Sequence, residues 1–161
     1  MQVRRAKKED LHAVGKLALG LVQLHESFDP DRFMHLPNAD KGYERFLARE
    51  IDSARACVLV LTQGEGDDEE IVGYTYSTME DRDYNALLDA CAKLHDIFVR
   101  DDLRGQGGGE LLLQGTLAEL EKMGAPRVVL LASVQNAGAQ RMFTRAGFRA
   151  TMMEMTRTPK K

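Results

Sequence analysis

Four glycines crowd the segment from Arg104 to Glu110, which reads RGQGGGE, at the point where a predicted strand meets a predicted helix. The first amide groups of a helix lack internal partners and carry partial positive charge, and glycine lets an anion approach them closely. The segment therefore predicts a phosphate-binding turn. The alternative is that the glycines only allow the strand and the helix to pack closely.

Two common nucleotide motifs do not fit this segment. A P-loop needs a lysine and a hydroxyl residue after its last glycine, whereas Glu110 and Leu111 follow here. A dinucleotide-binding fingerprint needs G-x-G-x-x-G, and Gly105, Gly107 and Gly109 are spaced differently. Nucleotide binding is therefore the least favoured use of the turn.

Strand and helix patterns alternate along the chain without repeats, which predicts one domain over residues 1–158 and a frayed tail over 159–161. Asp10 is a candidate cap of the first helix, and Cys57 and Cys91 are interpreted as core thiols. The predicted strands are 3–6, 56–62, 71–79, 92–100, a buried strand at 127–133 and a methionine-rich strand at 149–157; the predicted helices are 7–26, 42–51, a helix ending at 124, and 136–147.

Composition narrows the possible partners and location. The net charge is −3, and no basic stripe with interleaved aromatics occurs, so we expect no nucleic acid partner. No apolar run is long enough to cross a membrane, and no apolar segment follows the basic amino terminus, which predicts a cytoplasmic protein without membrane contact. The two cysteines lack metal-ligand spacing, so neither a disulfide framework nor a metal site is predicted.

Residues 94–114 resemble the acyl-CoA-binding segment of the GNAT superfamily of N-acyltransferases, whose signature is [QR]-x-x-G-x-[GA]. A second GNAT signature, an asparagine followed by a short helix that ends in glycine and phenylalanine, is also matched. The resemblance implies an α+β, three-layer α/β/α fold: a mixed, mostly antiparallel twisted sheet with a splay between two central parallel strands and helices on both faces. The matching residues are Arg104, Gly107 and Gly109, then Asn136, Ala139, Gly147 and Phe148.

By this resemblance, acetyl-CoA is the cosubstrate and no metal takes part. The glycine turn would hold the pyrophosphate, and one strand would pair with the pantetheine amides. Asn136 is either a cofactor contact or only a helix cap. The implied cofactor-binding residues are Ile97, Phe98, Val99, Arg104, Gly105, Gln106, Gly107, Gly108, Gly109, Glu110, Asn136 and Phe143.

The resemblance also implies direct transfer of an acetyl group to a primary amine of a small molecule or peptide in a ternary complex. His95 stands where the family carries a base, and its ordinary pKa near neutrality suits that role, although a structural histidine is the alternative. Strand alternation predicts that His95 and the neighbouring Asp96 point to opposite faces. Many family members carry a proton-donating tyrosine where this chain has Phe143, which keeps a non-catalytic acyl-CoA sensor as an alternative function.

The acceptor site is predicted from carboxylates and aromatics in two segments that shape this pocket in the family. Such side chains suit a cationic amine, and the alternative is that they are solvated loop residues. The final methionine-rich strand could contribute to a homodimer or belong to the core. The candidate acceptor-binding residues are Phe28, Asp29, Phe33, Glu80, Tyr84 and Asp96.

Overall fold

A computed structural model describes residues 1–159 as one five-stranded sheet with helices on both faces. The strands lie in the order of the chain; the first four are antiparallel to their neighbours, and the last pairs in parallel. This confirms the predicted mixed α+β architecture. The strands are β1 (Gln2–Arg5), β2 (Ala56–Gln63), β3 (Glu70–Glu80), β4 (Cys91–Val99) and β5 (Val128–Leu130); the helices are α1 (Leu11–Phe28), α2 (Ala39–Glu50), α3 (Gly108–Lys122) and α4 (Ala137–Arg145).

Alternation along the strands divides the core into two layers. On one face, which we call the front, Val58, Val60 and Tyr74 pack under α1 and α2. On the opposite face, the back, Leu59 and Leu61 pack under α3. The predicted hairpin of β2 and β3 is confirmed, because these strands pair from Ala56–Thr78 to Gln63–Glu70.

β4 and β5 separate after a short stretch of pairing. The parallel ladder covers only Ala92, Lys93 and Leu94 of β4, while β4 itself continues to Val99. The edge of β4 that faces away from β3 therefore has no strand partner over residues 95–99 within the described chain. This gap is the predicted splay.

The prediction of a final strand at residues 149–157 is wrong. Residues 149–157 form no strand, and Met152, Met153 and Met155 are 88%, 76% and 86% exposed, so their interpretation as core residues is also wrong. Without that strand, β5 is the outermost strand of the sheet. For the same reason, the predicted buried strand at 127–133 shortens to three partly exposed residues.

Several local predictions can be checked directly. Cys57 and Cys91 are buried free thiols, as predicted. Asp10 precedes α1 but does not cap it; its carboxylate accepts from the Lys7 amide at 2.6 Å and pairs with Arg4 at 2.7 Å. Residues 160 and 161 of the predicted frayed tail lie outside the described residues. None of the helices between residues 1 and 159 is long and apolar enough to span a lipid bilayer.

Candidate active site

The glycine turn connects β4 to α3 through a 3-10 turn at Asp101–Leu103. Gly105 and Gly107 adopt φ of 75° and 84°, a left-handed conformation that disfavours other residues. A Cβ atom added to either glycine would meet no atom within 4 Å, so this side of the turn is open. Gly107 is also the residue before the first turn of α3, whose free amides favour an anion. The turn therefore fits a phosphate group.

The other two glycines of the cluster serve packing. A Cβ atom on Gly108 would lie 2.8 Å from Leu61 Cδ2, and one on Gly109 would lie 3.1 Å from Met142 Sδ. These short distances let α3 approach the sheet and α4 closely. The packing interpretation therefore holds for Gly108 and Gly109, whereas phosphate binding at Gly105 and Gly107 stays a prediction.

Arg104 joins the glycine turn to the unpaired edge of β4. Its guanidinium lies over the Phe98 ring at 5.2 Å and its Nε donates to the Val99 carbonyl at 3.4 Å. Arg104 also pairs with Asp101 at 2.6 Å. The guanidinium therefore lies at the end of β4 beside the turn, and Asp101 balances part of its charge.

The remaining predicted cofactor residues have varied surroundings. The Gln106 side-chain amide donates to the Asp102 carbonyl at 3.2 Å, and the Glu110 carboxylate pairs with Arg145. Asn136 caps α4, because its Oδ1 accepts from the Ala139 amide at 3.0 Å. Phe143 is 6% exposed and packs with Leu94, Leu113 and Phe148.

A bulge in β4 changes which way His95 points. Tyr76 pairs with Asp96 but Ser77 pairs with Leu94, so His95 is an extra residue without a partner on β3. Leu94 packs in the back layer, whereas both His95 and Asp96 contact front-face tyrosines. The prediction that His95 and Asp96 occupy opposite faces is therefore wrong, because the bulge interrupts the alternation.

His95 is held at the front face by three neighbours. Its ring stacks on Tyr76 with centroids 5.1 Å apart, and its Nε2 lies 2.7 Å from Thr78 Oγ1. The Thr78 hydroxyl is also hydrogen-bonded to Glu80. The His95 side chain is 37% exposed, so it remains accessible.

This hydrogen-bond chain selects one form of the imidazole. An ionised carboxylate only accepts hydrogen bonds, so the Thr78 hydroxyl donates to Glu80. Its oxygen must then accept from Nε2–H of His95. The neutral imidazole consequently carries its free lone pair on Nδ1. Burial lowers the pKa of His95 below its ordinary value of 6.5, against the opposing effect of Glu80, so the neutral form predominates at neutral pH.

Asp96 is a second titratable group on the same face. The Tyr74 hydroxyl donates to Asp96 Oδ2 at 3.1 Å. Burial raises the pKa of Asp96 to about 6 and outweighs this hydrogen bond, which favours the ionised form. Burial also raises the pKa of Tyr43, with Asp96 contributing. A carboxylate, an imidazole and phenols thus occupy neighbouring positions above the bulge.

The predicted acceptor residues divide into separate groups. Glu80 and Asp96 lie with His95. Phe28 and Phe33 instead pack around His25 at the end of α1, with ring centroids 6.1 and 4.9 Å from the imidazole.

The other two predicted acceptor residues, Asp29 and Tyr84, lie in loops. Asp29 accepts from the amides of Asp31 and Arg32, so its carboxylate orders the loop after α1. Tyr84 is 75% exposed on the turn between β3 and β4, next to the bridge of Asp83 and Leu88. Neither contact brings these residues to His95.

Sequence reasoning missed five residues of the front-face cluster. Tyr76 donates to Glu50 at 3.1 Å, which extends the cluster onto α2. The signal was present in β3, because alternating residues of this strand carry polar or phenolic side chains and therefore share one face. These residues are Tyr74, Tyr76, Thr78 and Glu80. The missed residues are Tyr43, Glu50, Tyr74, Tyr76 and Thr78. Among residues 1–159, no three His, Cys, Asp or Glu side chains are grouped so as to hold a metal ion.

Comparison with known proteins identifies the class. Residues 21–148 match the model of the acetyltransferase (GNAT) family. This match covers most of the chain and includes both the glycine turn and the Asn136 helix. The chain belongs to the GNAT acetyltransferase family.

Individual proteins and solved structures are similar to parts or all of this chain. A 57-residue segment is 39% identical to an uncharacterized N-acetyltransferase, MJ1207, of Methanocaldococcus jannaschii; it covers 35% of this chain and 25% of that protein. A variant of the BH1408 protein of Bacillus halodurans has a TM-score of 0.82 at 20% identity, over 99% of this chain and 100% of its own. An aminoglycoside 6'-N-acetyltransferase of Acinetobacter haemolyticus has a TM-score of 0.67 at 14% identity, over 100% and 99%. These two structures share the fold.

Proposed function

We propose that this protein is an acetyl-CoA-dependent N-acetyltransferase that acetylates a primary amine of a cationic small molecule or peptide. The observation that carries the proposal is one continuous arrangement: the open glycine turn, the unpaired edge of β4, and the accessible His95 above the bulge all belong to one strand and its exit. Phosphate recognition, an extended binding edge and a base therefore follow one another along β4.

Several of the chain's own residues would hold acetyl-CoA. The amides from Gly105 to Glu110 suit the pyrophosphate because the helix terminus and the nearby Arg104 are both positive. The backbone of Ile97, Phe98 and Val99 suits the pantetheine amides because this edge of β4 lacks a strand partner. Bound acetyl-CoA supplies an activated acetyl thioester.

His95 is proposed as the general base. The acceptor nitrogen forms a bond to the acetyl carbon as the bond from that carbon to sulfur breaks, and His95 Nδ1 takes the proton that the nitrogen loses. Glu80 and Thr78 support this role because they occupy Nε2 and direct the free lone pair to Nδ1. Phe143 has no proton to give, so the thiolate takes its proton from water.

A cationic acceptor is supported by the charges around the base. Asp96 and Glu80 flank His95, and Glu50 lies behind Tyr76. Carboxylates beside phenol rings favour an ammonium group. An aminoglycoside acetyltransferase among the structural neighbours is consistent with acceptors of this chemistry.

The test is a free-thiol assay for CoA release from acetyl-CoA, run with polyamines, aminoglycosides, amino acids and lysine peptides. We expect release that depends on the amine and that is strongly reduced by His95→Gln at unchanged acetyl-CoA affinity. The matched control is His35→Gln, an exposed histidine paired with Glu26. Equal loss in both variants would contradict the assignment of His95.

The second candidate function is a non-catalytic acyl-CoA sensor. One observation favours it: the buried ring of Phe143 stands where many family members carry a proton-donating tyrosine. Saturable acetyl-CoA binding without CoA release for any amine in the panel would support the sensor over the enzyme.

A further inference from the structure

Lys93 lies where β4 and β5 begin to separate. It pairs with Val129 of β5, and the parallel ladder ends one residue later, at Leu94. On the other side of β4, Lys93 lies directly opposite Thr78 of β3. Residues that lie directly opposite each other on paired strands place their side chains on one face, so Lys93 shares the front face with Thr78. The lysine therefore stands at the apex of the splay.

This position is next to the proposed base. His95 follows Lys93 by two residues, and its Nε2 lies 2.7 Å from the Thr78 hydroxyl oxygen, so all three side chains share the front face. Two residues of a strand span roughly 7 Å, a distance that an extended lysine side chain nearly covers. Burial lowers the pKa of His95, and the charge of Lys93 lowers it further. Geometry and electrostatics thus both bring the Lys93 amine close to the imidazole.

No carboxylate among residues 1–159 forms an ion pair with Lys93. Glu80 is hydrogen-bonded to the Thr78 hydroxyl and lies 3.8 Å from His95 Nε2 instead. A carboxylate partner would hold the amine in place and favour its charged form, which cannot attack a thioester. Lys93 is partly exposed and its four-carbon stem is flexible, so its amine can turn toward the splay.

We propose that Lys93 is a self-acetylation site, to which the chain transfers one acetyl group from its own acetyl-CoA. This inference rests on the proposed acetyl transfer, in which the thioester lies in the splay. The neutral Nζ of Lys93 forms a bond to the acetyl carbon as the bond from that carbon to sulfur breaks. His95 Nδ1 takes the proton that the nitrogen loses, and the thiolate takes a proton from water. The product is an uncharged amide, so the reaction removes a positive charge from beside His95.

Mass spectrometry tests this reaction directly. The native chain is incubated with acetyl-CoA in the absence of any amine, and the intact mass and the chymotryptic peptides are measured over time. We expect the mass to rise by one acetyl group on Lys93, at a rate that does not change when the protein is diluted, because transfer occurs within one chain. Lys93→Arg should not gain this group, whereas Lys16→Arg, at an exposed lysine of α1, should react like the native chain.

His95→Gln separates assisted transfer from spontaneous acylation of lysine. This variant should acetylate Lys93 roughly 100-fold more slowly and leave the slow acetylation of Lys16 unchanged. Equal rates at Lys93 and Lys16 in the native chain, or equal rates at Lys93 in the native chain and His95→Gln, would overturn the inference. CoA release with the amine panel is measured on the same preparation. Amine-dependent release without acetylated Lys93 would refute self-acetylation alone, whereas the absence of both would contradict the proposed function as well.

Discussion

Asp96 should destabilise the folded protein at neutral pH, and Asp96→Asn should remove that effect. The carboxyl group has an ordinary pKa of 3.8 and a folded-state pKa of about 6. At about 1.36 kcal/mol per pKa unit, keeping it ionised in the fold costs about 3 kcal/mol. An asparagine at this position carries no charge, and its side-chain oxygen can still accept from Tyr74.

The direction of this change in stability with pH follows from proton binding. Between the two pKa values, the folded state binds more protons than the unfolded state, so stability falls as pH rises through this range. Below about pH 3, the carboxyl group is protonated in both states and the cost vanishes; above about pH 7, the cost is fully present. The advantage of Asp96→Asn over the native chain should therefore grow by about 3 kcal/mol between these two limits.

Urea denaturation at the two pH values measures this difference. With a slope of about 2 kcal/mol per molar urea, the midpoint of Asp96→Asn should gain about 1.5 M on the native midpoint as pH rises. Asp67→Asn, at the exposed tip of the β2–β3 turn, is the control and should show no such gain. A constant difference between Asp96→Asn and the native chain would refute the inference that Asp96 is desolvated above the bulge.

Three further predictions concern the site. If His95 is the base, kcat/KM should fall as pH drops through a pKa below 6.5. This fall at low pH should persist in Asp96→Asn but disappear from the residual activity of His95→Gln. Its persistence in His95→Gln would point to another base. Thr78→Val should lower kcat about 10-fold with little change in KM, because the imidazole loses its orienting partner, whereas Thr78→Ser should retain most activity. A larger loss in Thr78→Ser than in Thr78→Val would indicate a packing role for the threonine methyl instead. Gly107→Glu should abolish CoA binding, measured by calorimetry, because the side chain adds backbone strain and charge repulsion. Gly107→Ala adds the strain alone, so it should cost about 1 kcal/mol of stability and keep weaker binding. Undiminished affinity in Gly107→Glu would reject the turn as the phosphate site.

Local sequence patterns were sufficient for the elements whose determinants lie within a few residues. Asn136 predicts the start of α4 because its side chain caps the amide three residues later. The β2–β3 hairpin follows from two strand patterns around a polar, glycine-bearing turn. The glycine turn was likewise predicted, because positive φ at Gly105 and Gly107 is a local backbone requirement.

Three features depended on contacts between distant segments. The separate roles of Gly107 and Gly108 follow from what lies next to each: open space for one, and Leu61 of β2 for the other. The failure of residues 149–157 to form a strand depends on whether a partner strand is available, which their own sequence does not specify. The bulge at His95 depends on the register between β3 and β4.

The sequence by itself therefore determined the class of fold, the glycine-rich turn between β4 and α3 and the residue types available for chemistry, since capping, backbone conformation and hydrophobic period act over short distances. The tertiary structure alone decided that His95 and Asp96 share a face and that the Glu80–Thr78 pair orients the imidazole. These relations arise from strand register, and one inserted residue reverses the side to which a side chain points.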